Sequence, residues 1–156
     1  MGGDSLDIIW VFDNLGSPLA LIVKASYKSG NINFITPDSF GQQVAYMNRP
    51  KGEVIQAHIH EPISRTVIGT QEVLYIRRGR IRVDFYGADR AYVSSAILEA
   101  GDLTLLNTGG HGFELLDDTD MIEIKQGPFA ENRDKTRFVP STHEIRLVKN
   151  LGNQCE

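Results

Sequence analysis

Short apolar runs separated by turn residues recur along most of the chain. IIWVF at positions 8–12 and LALIVKA at 19–25 flank the turn residues DNLGSP, which predicts a β-hairpin over residues 7–25. Further runs rich in β-branched and aromatic residues follow, and no segment between residues 40 and 128 has a convincing helical period. Short strands joined by turns favour an antiparallel sandwich or barrel over a parallel α/β fold. The pattern therefore predicts an all-β protein.

Residues 52–79, GEVIQAHIHEPISRTVIGTQEVLYIRRG, carry the most distinctive pattern. We predict strands over residues 54–60 and 72–76, joined by a longer and partly polar connection. Because side chains alternate between the two faces of a strand, His58 and His60 point to the same side as Gln56. The other side carries Ile55, Ala57 and Ile59. We expect both faces of this strand to be substantially buried.

Two further residues can join the histidine pair. Glu72 begins the second of these strands, and His111 begins a later strand that carries Phe113 and Leu115 on the same face. Three imidazoles and one carboxylate suit a divalent transition metal ion, and zinc, iron, manganese, nickel and copper are all candidates. Glu61 is a competing carboxylate, but strand alternation turns it away from the histidines. The predicted ligands are His58, His60, Glu72 and His111. The alternative for each histidine is a neutral, hydrogen-bonded side chain at the barrel end.

These residues match the first motif of the cupin superfamily, and the chain resembles that family of small jelly-roll barrels over about residues 40–127. The motif is written G(X)5HXH(X)3,4E(X)6G. Its fixed positions are occupied here by Gly52, His58, His60, Glu72 and Gly79. Eleven residues, in place of three or four, separate His60 from Glu72, which predicts an enlarged loop at the barrel mouth.

The second cupin motif, G(X)5PXG(X)2H(X)3N, is matched less completely. Gly101 and Gly109 stand at its glycines, and Asn107 replaces its proline. His111 follows Gly109 after one residue rather than two, and Leu115 stands where the motif ends in asparagine. That last position is not a metal ligand in the family. His111 is therefore the histidine that the second motif supplies.

The resemblance implies a particular architecture. We expect an antiparallel double-stranded β-helix over residues 1–130, including the N-terminal strands, and a partly irregular C-terminal extension over residues 131–156. The EIRLV segment of that extension could add an edge strand, here or in a neighbouring subunit. EVLYIRRGRIRVDFYG and GGHGFELLDDTDMIEIKQGPF resemble small uncharacterised single-domain cupins associated with surface-polysaccharide gene clusters. Small cupins commonly pair through their sheets, so the resemblance also implies a homodimer.

The expected function is an enzyme that acts on a small polar molecule, such as a sugar or sugar acid, by Lewis-acid catalysis at the metal. Alternatives are a metal-dependent oxygenase, a non-catalytic module that binds a small ligand, and a metal that only ties the barrel together.

Several polar residues are candidates for ligand contacts. Arg65, in the enlarged loop, is expected to bind a carboxylate or phosphate, and Gln56 to orient an imidazole or a metal-bound water. A solvated arginine and a satisfied core amide are the alternatives. Glu123 and Lys125 share a face that either lines the cavity or meets solvent, with solvent preferred. His143 is expected to lie at the surface.

Composition narrows the partners and the location. The length of 156 residues with 41% apolar content suits one domain. With 16 basic and 20 acidic residues, a net charge of −4 and no long basic run, nucleic acid is not an expected partner. The chain has neither a secretion signal nor a segment long enough to cross a bilayer, so no membrane association is expected. Cys155 is the single cysteine and cannot form an internal disulfide, which fits a reducing cytoplasm.

Overall fold

The structure is a computed structural model that describes residues 6–128 and 134–148. Within these residues the chain forms ten β-strands and no helix, so the predicted all-β class is confirmed. None of the described residues belongs to a helix that is long and apolar enough to cross a membrane. The strands are β1 (Ile8–Phe12), β2 (Pro18–Val23), β3 (Ile32–Phe34), β4 (Ala45–Met47), β5 (Glu72–Arg78), β6 (Arg80–Tyr86), β7 (Tyr92–Glu99), β8 (Leu103–Leu106), β9 (Gly110–Leu115) and β10 (Asp120–Lys125).

The predicted N-terminal hairpin is formed by β1 and β2, which pair antiparallel. Asp13 shapes its turn, because the Asp13 carboxylate accepts hydrogen bonds from the main-chain N–H groups of Leu15 at 2.9 Å and Ser17 at 2.8 Å. Gly16 has a φ of +80°, a conformation that glycine adopts without a steric penalty. Local turn chemistry therefore accounts for this element.

Two antiparallel sheets build the larger of two compact units, which contains the described residues up to Tyr27 and from Gly69 onward. One sheet has the strand order β1-β2-β8-β5-β10 and the other β7-β6-β9. Side chains of both sheets form one buried cluster that includes Leu74 and Ile76 of β5 together with Val83 and Phe85 of β6. The result is a sandwich.

The expected closed barrel is not found within the described residues. In the described sheets, β10 and β9 each have a hydrogen-bonded neighbour strand on one side only, so both sheets keep a free edge. A barrel requires that the last strand pair with the first and leave no edge. The antiparallel pairing predicted from the sequence is confirmed, whereas the double-stranded β-helix stays a prediction.

The smaller unit, Lys28–Ile68, contains β3 and β4. The strand predicted over residues 54–60 is wrong, because no residue from 53 to 68 belongs to a strand. Among the described strands none pairs with this segment, and a strand without a hydrogen-bonded neighbour is unstable in water. Neither predicted face is buried: every residue from 53 to 68 is exposed, Ile59 at 88%.

The C-terminal segment 134–148 belongs to the larger unit. Leu147 forms a parallel bridge with Ser95 of β7, and the Val148 N–H donates to the Ser95 carbonyl at 2.8 Å. Val148 also packs against the core. The EIRLV segment thus contacts β7 of its own chain through an isolated bridge and forms no strand. The boundary predicted at residue 130 and Cys155 both lie outside the described residues.

Candidate metal centre

Glu72 is the first residue of β5 and lies on the face of the strand that leads into the core. Its partners in the sheet are Leu106 of β8 and Lys125 of β10. Leu74 and Ile76 continue the same face and are buried. The Glu72 side chain itself is only 13% exposed. Its carboxylate is therefore held at the end of the buried inner face.

The residue before Glu72 anchors the start of β5. The Gln71 main-chain N–H donates to Gln126 Oε1 at 2.8 Å, and the Gln71 side-chain amide donates to Asn107 Oδ1. Asn107 in turn donates to the Pro18 carbonyl at 2.8 Å. Asn107, which stands where the second motif has proline, thus links β2, β8 and β5. The sequence does not predict this network, because no local pattern pairs residues 36 positions apart.

The other sheet brings His111 to Glu72. Gly109 shapes the approach to β9: its φ is +68°, and a Cβ added there would lie 2.3 Å from the Tyr86 carbonyl oxygen. His111 pairs with Phe85, whose side chain is in the core, so the imidazole lies on the inner face. His111 Nε2 lies 3.1 Å from Glu72 Oε2. The structure thus brings together two of the four predicted ligands.

The surroundings of His111 favour its neutral form. Burial lowers the pKa of His111, and the Glu72 carboxylate, which acts in the opposite direction, offsets this only in part. Lys135 lowers the pKa further. A neutral imidazole is the form that donates a nitrogen lone pair to a metal ion, so a lowered pKa reduces competition from protons.

A lysine and a second glutamate extend this cluster. Lys125 Nζ lies 3.6 Å from Glu72 Oε1 and 3.1 Å from Glu123 Oε1. The hydrogen bond with Glu123 raises the pKa of Lys125, which therefore stays protonated. The Lys125 side chain is 22% exposed and the Glu123 side chain 46%. The sequence favours a solvent-facing position for Lys125. This prediction is wrong, because β10 turns Lys125 toward Glu72.

His58 and His60 lie in the smaller unit and contact each other. Their ring centroids are 5.1 Å apart, with the ring planes at 76°. His58 Nδ1 lies 2.9 Å from the Gln56 main-chain carbonyl oxygen. Because a carbonyl only accepts hydrogen bonds, Nδ1 carries the proton and a neutral His58 has its free lone pair on Nε2. Gln56 thus orients an imidazole through its main chain, where the prediction invoked its side chain.

Arg65 lines a cavity of about 660 Å³ within the smaller unit. Phe34 and Phe40 form apolar parts of the wall, and Asp38 adds one carboxylate. The Arg65 guanidinium forms no ion pair with any residue that the structure describes. These surroundings suit a ligand with an anionic group, which is the kind of ligand predicted for Arg65. Gln56 does not line the cavity.

The predicted ligands thus form two pairs, Glu72 with His111 in the larger unit and His58 with His60 in the smaller one. Across residues 6–128 and 134–148 there is no group of three or more His, Cys, Asp or Glu residues placed to bind one metal ion. Binding of one ion by all four residues stays a prediction.

Comparisons with known proteins add no family assignment. No family model matches the chain, no curated protein matches it, and no solved structure matches it. Functional proposals for this chain therefore depend on its own residues and on the resemblance of two motifs.

Proposed function

We propose that the chain is a metal-binding single-domain cupin in which His58, His60, Glu72 and His111 bind one divalent transition metal ion. The main support is the 3.1 Å approach of His111 Nε2 to Glu72 Oε2, because imidazole nitrogen and carboxylate oxygen are donors that such ions select. The lone pair on His58 Nε2 adds a third donor of the right kind. Two antiparallel sheets that share one core are compatible with the double-stranded β-helix of that family.

The proposed activity is turnover of a small polar molecule of the sugar or sugar-acid type by a chain that works as a homodimer. A bound metal ion would supply Lewis-acid polarisation of a ligand oxygen. Lys125 holds a positive charge 3.6 Å from Glu72, and Glu123 keeps that lysine protonated. A hydroxyl or carboxylate oxygen of the ligand would accept a hydrogen bond from Lys125 Nζ.

A binding protein without turnover is the second candidate, and the cavity at Arg65 favours it. The cavity has a volume of about 660 Å³, and the Arg65 guanidinium on its wall has no ion-pair partner among the described residues. Such a cavity suits an anionic small molecule and requires no metal ion. Binding of a sugar acid such as glucuronate would then depend on Arg65 and survive removal of metal.

Metal content of the purified chain tests the first candidate. Protein from metal-replete medium should contain about one transition metal ion per chain by elemental analysis. His111→Ala, Glu72→Gln and His58→Ala should each lower metal affinity at least about tenfold. His143→Ala is the matched control and should keep the full content. Chelation should lower the melting temperature of the native chain, because metal binding stabilises the folded form.

Two results would contradict this proposal. A native chain that takes up no metal would remove the metal centre altogether. Full metal content in His58→Ala and His60→Ala, together with loss in His111→Ala, would restrict the site to the pair in the larger unit. Iron or copper as the native ion would point instead to an oxygenase. Glucuronate binding that resists chelation and is lost in Arg65→Ala would support the second candidate.

A further inference from the structure

A second cavity, of about 540 Å³, lies between the β6–β7 turn and the C-terminal segment 134–148. The turn contributes Asp89, Arg90 and Ala91 to its wall, and the segment contributes Arg137, Phe138 and Ser141. None of these residues belongs to the candidate metal centre or to the cavity at Arg65. The metal proposal leaves this part of the molecule without a role.

Arg90 has an unusual backbone conformation. Its φ of +68° makes it the one non-glycine residue with a positive φ among those that the structure describes. The turn is closed by main-chain bonds, from the Arg90 N–H to the Gly87 carbonyl and from the Gly87 N–H to the Ala91 carbonyl, both 2.9 Å. Glycine or asparagine would suit this position better, and the turn makes no use of the arginine side chain. Strain of this kind is often found at binding sites.

Phe138 holds the Arg90 side chain over the cavity. The Arg90 Cζ atom lies 5.7 Å from the centroid of the Phe138 ring, which is a cation–π distance. The Phe138 ring meets the Tyr86 ring edge to face, at 5.2 Å and 89°. Gly110 makes room for it, since a Cβ there would lie 3.3 Å from two carbons of the Phe138 ring. The guanidinium is therefore positioned before any ligand arrives.

The segment that carries Arg137 is anchored on its other side as well. The His143 ring stacks on the Tyr92 ring, with centroids 3.7 Å apart and planes at 16°. The Arg146 main-chain N–H donates to the Tyr92 hydroxyl at 2.9 Å. His143 thus packs against a strand of the sandwich, although a plain surface position was expected. Both walls of the cavity are fixed to the larger unit.

The cavity is rich in unpaired positive charge. Neither Arg90 nor Arg137 forms an ion pair with a residue in the described ranges 6–128 and 134–148. Asp89 is the acid on the wall, and its Oδ1 accepts the Ala91 N–H at 3.0 Å. Two guanidinium groups and the Ser141 hydroxyl leave many N–H and O–H donors without an acceptor among the residues that the structure describes. Such a donor set matches an oxyanion that carries two charges.

We propose that this cavity binds the phosphate group of a small molecule, with Arg90 and Arg137 as the charged donors. The strained turn and the docked Phe138 ring position one guanidinium, and the anchored segment supplies the other. This site is independent of the metal centre and does not require it.

Nuclear magnetic resonance titration of the full chain tests the proposal, with chelator present so that metal does not bind phosphate. Glycerol 3-phosphate is the probe, inorganic phosphate the comparison and glycerol the neutral control. We expect saturable shifts at the amides of Ala91, Phe138 and Ser141, and none with glycerol. Arg90→Gly and Arg137→Gln should each weaken binding at least about tenfold. Arg78→Gln, which removes an exposed arginine of β5, should leave binding unchanged.

The design separates loss of the site from loss of the fold. Glycine suits the backbone at position 90, so Arg90→Gly removes the guanidinium while it relieves strain, and its melting temperature should not fall. If Arg137→Gln fails to fold, Arg90→Gly alone decides. The proposal is overturned if no saturable shifts appear or if Arg78→Gln weakens binding as much. Chemical-shift changes centred on His111 would also overturn it. So would a chain that binds inorganic phosphate but does not bind glycerol 3-phosphate.

Discussion

The two halves of the proposed metal centre lie in regions of opposite character. Glu72 belongs to β5, whose inner face enters the core at Leu74, which is 2% exposed, and His111 pairs with Phe85 of β6, which is 1% exposed. The segment that carries His58 and His60 has no strand, and all its side chains are exposed. The segment around His58 alternates apolar and polar residues, whereas β5 carries a continuous apolar run from Val73 to Ile76. Alternation therefore produces a strand only where a neighbouring strand supplies hydrogen bonds and a second layer covers the apolar face.

Apolar truncation gives the largest expected contrast between these regions. Leu74→Ala removes a side chain that is 2% exposed and should lower the free energy of unfolding by about 3 kcal/mol, through lost burial and the cavity that remains. Ile59→Ala removes a side chain that is 88% exposed and should change it by less than about 0.5 kcal/mol. Urea unfolding at pH 7, followed by circular dichroism, measures both variants.

A large effect of Ile59→Ala would break this comparison. Destabilisation close to that of Leu74→Ala would mean that Ile59 is buried in solution, and that the segment around His58 is as ordered as β5. The same variant should be measured with added zinc. Metal-dependent destabilisation would show that the segment becomes ordered when the ion binds.

Two glycines with positive φ give the next contrast. Gly109→Ala, beside His111, adds left-handed strain and places a Cβ 2.3 Å from the Tyr86 carbonyl oxygen, so the free energy of unfolding should fall by about 2–3 kcal/mol. Gly52→Ala adds the strain alone, because nothing lies within 4 Å of its Cβ, and should have an effect of about 1 kcal/mol. Thermal unfolding of both variants measures the difference. Equal effects would show that the approach of Gly109 to Tyr86 does not constrain β9.

The sequence predicts those parts of the molecule whose causes are local. Turn residues such as Asp13 and Gly16 identify the first hairpin, and the absence of a helical period identifies the all-β class. The resemblance to the two cupin motifs singles out Glu72 and His111. The sequence does not show which strands pair, because pairing depends on contacts between distant residues. For that reason the predicted strand over residues 54–60 is wrong, and the inward position of Lys125 is not predicted.

The smallest expected difference between the two regions concerns stability at acid pH. It compares one carboxylate in each region. Burial raises the pKa of Asp84, but hydrogen bonds from Arg82 at 2.8 and 3.0 Å and from Ser95 at 2.5 Å outweigh it, so the folded-state pKa is lowered. In the smaller unit, Glu53 forms an i,i+4 pair with Arg49 on the surface. Asp84→Asn should therefore lower the free energy of unfolding by about 2 kcal/mol at pH 7, and Glu53→Gln by less than about 0.5 kcal/mol.

The pH dependence identifies the ionised carboxylate as the cause. Because the folded-state pKa of Asp84 lies below the unfolded value of about 3.9, its stabilisation is complete above that pH and is lost as the pH falls through the folded pKa. The difference between the native chain and Asp84→Asn should thus be constant from about pH 7 to 5 and shrink toward pH 3. Urea unfolding at each pH measures this. A difference that persists at pH 3 would mean that Asp84 acts by packing alone.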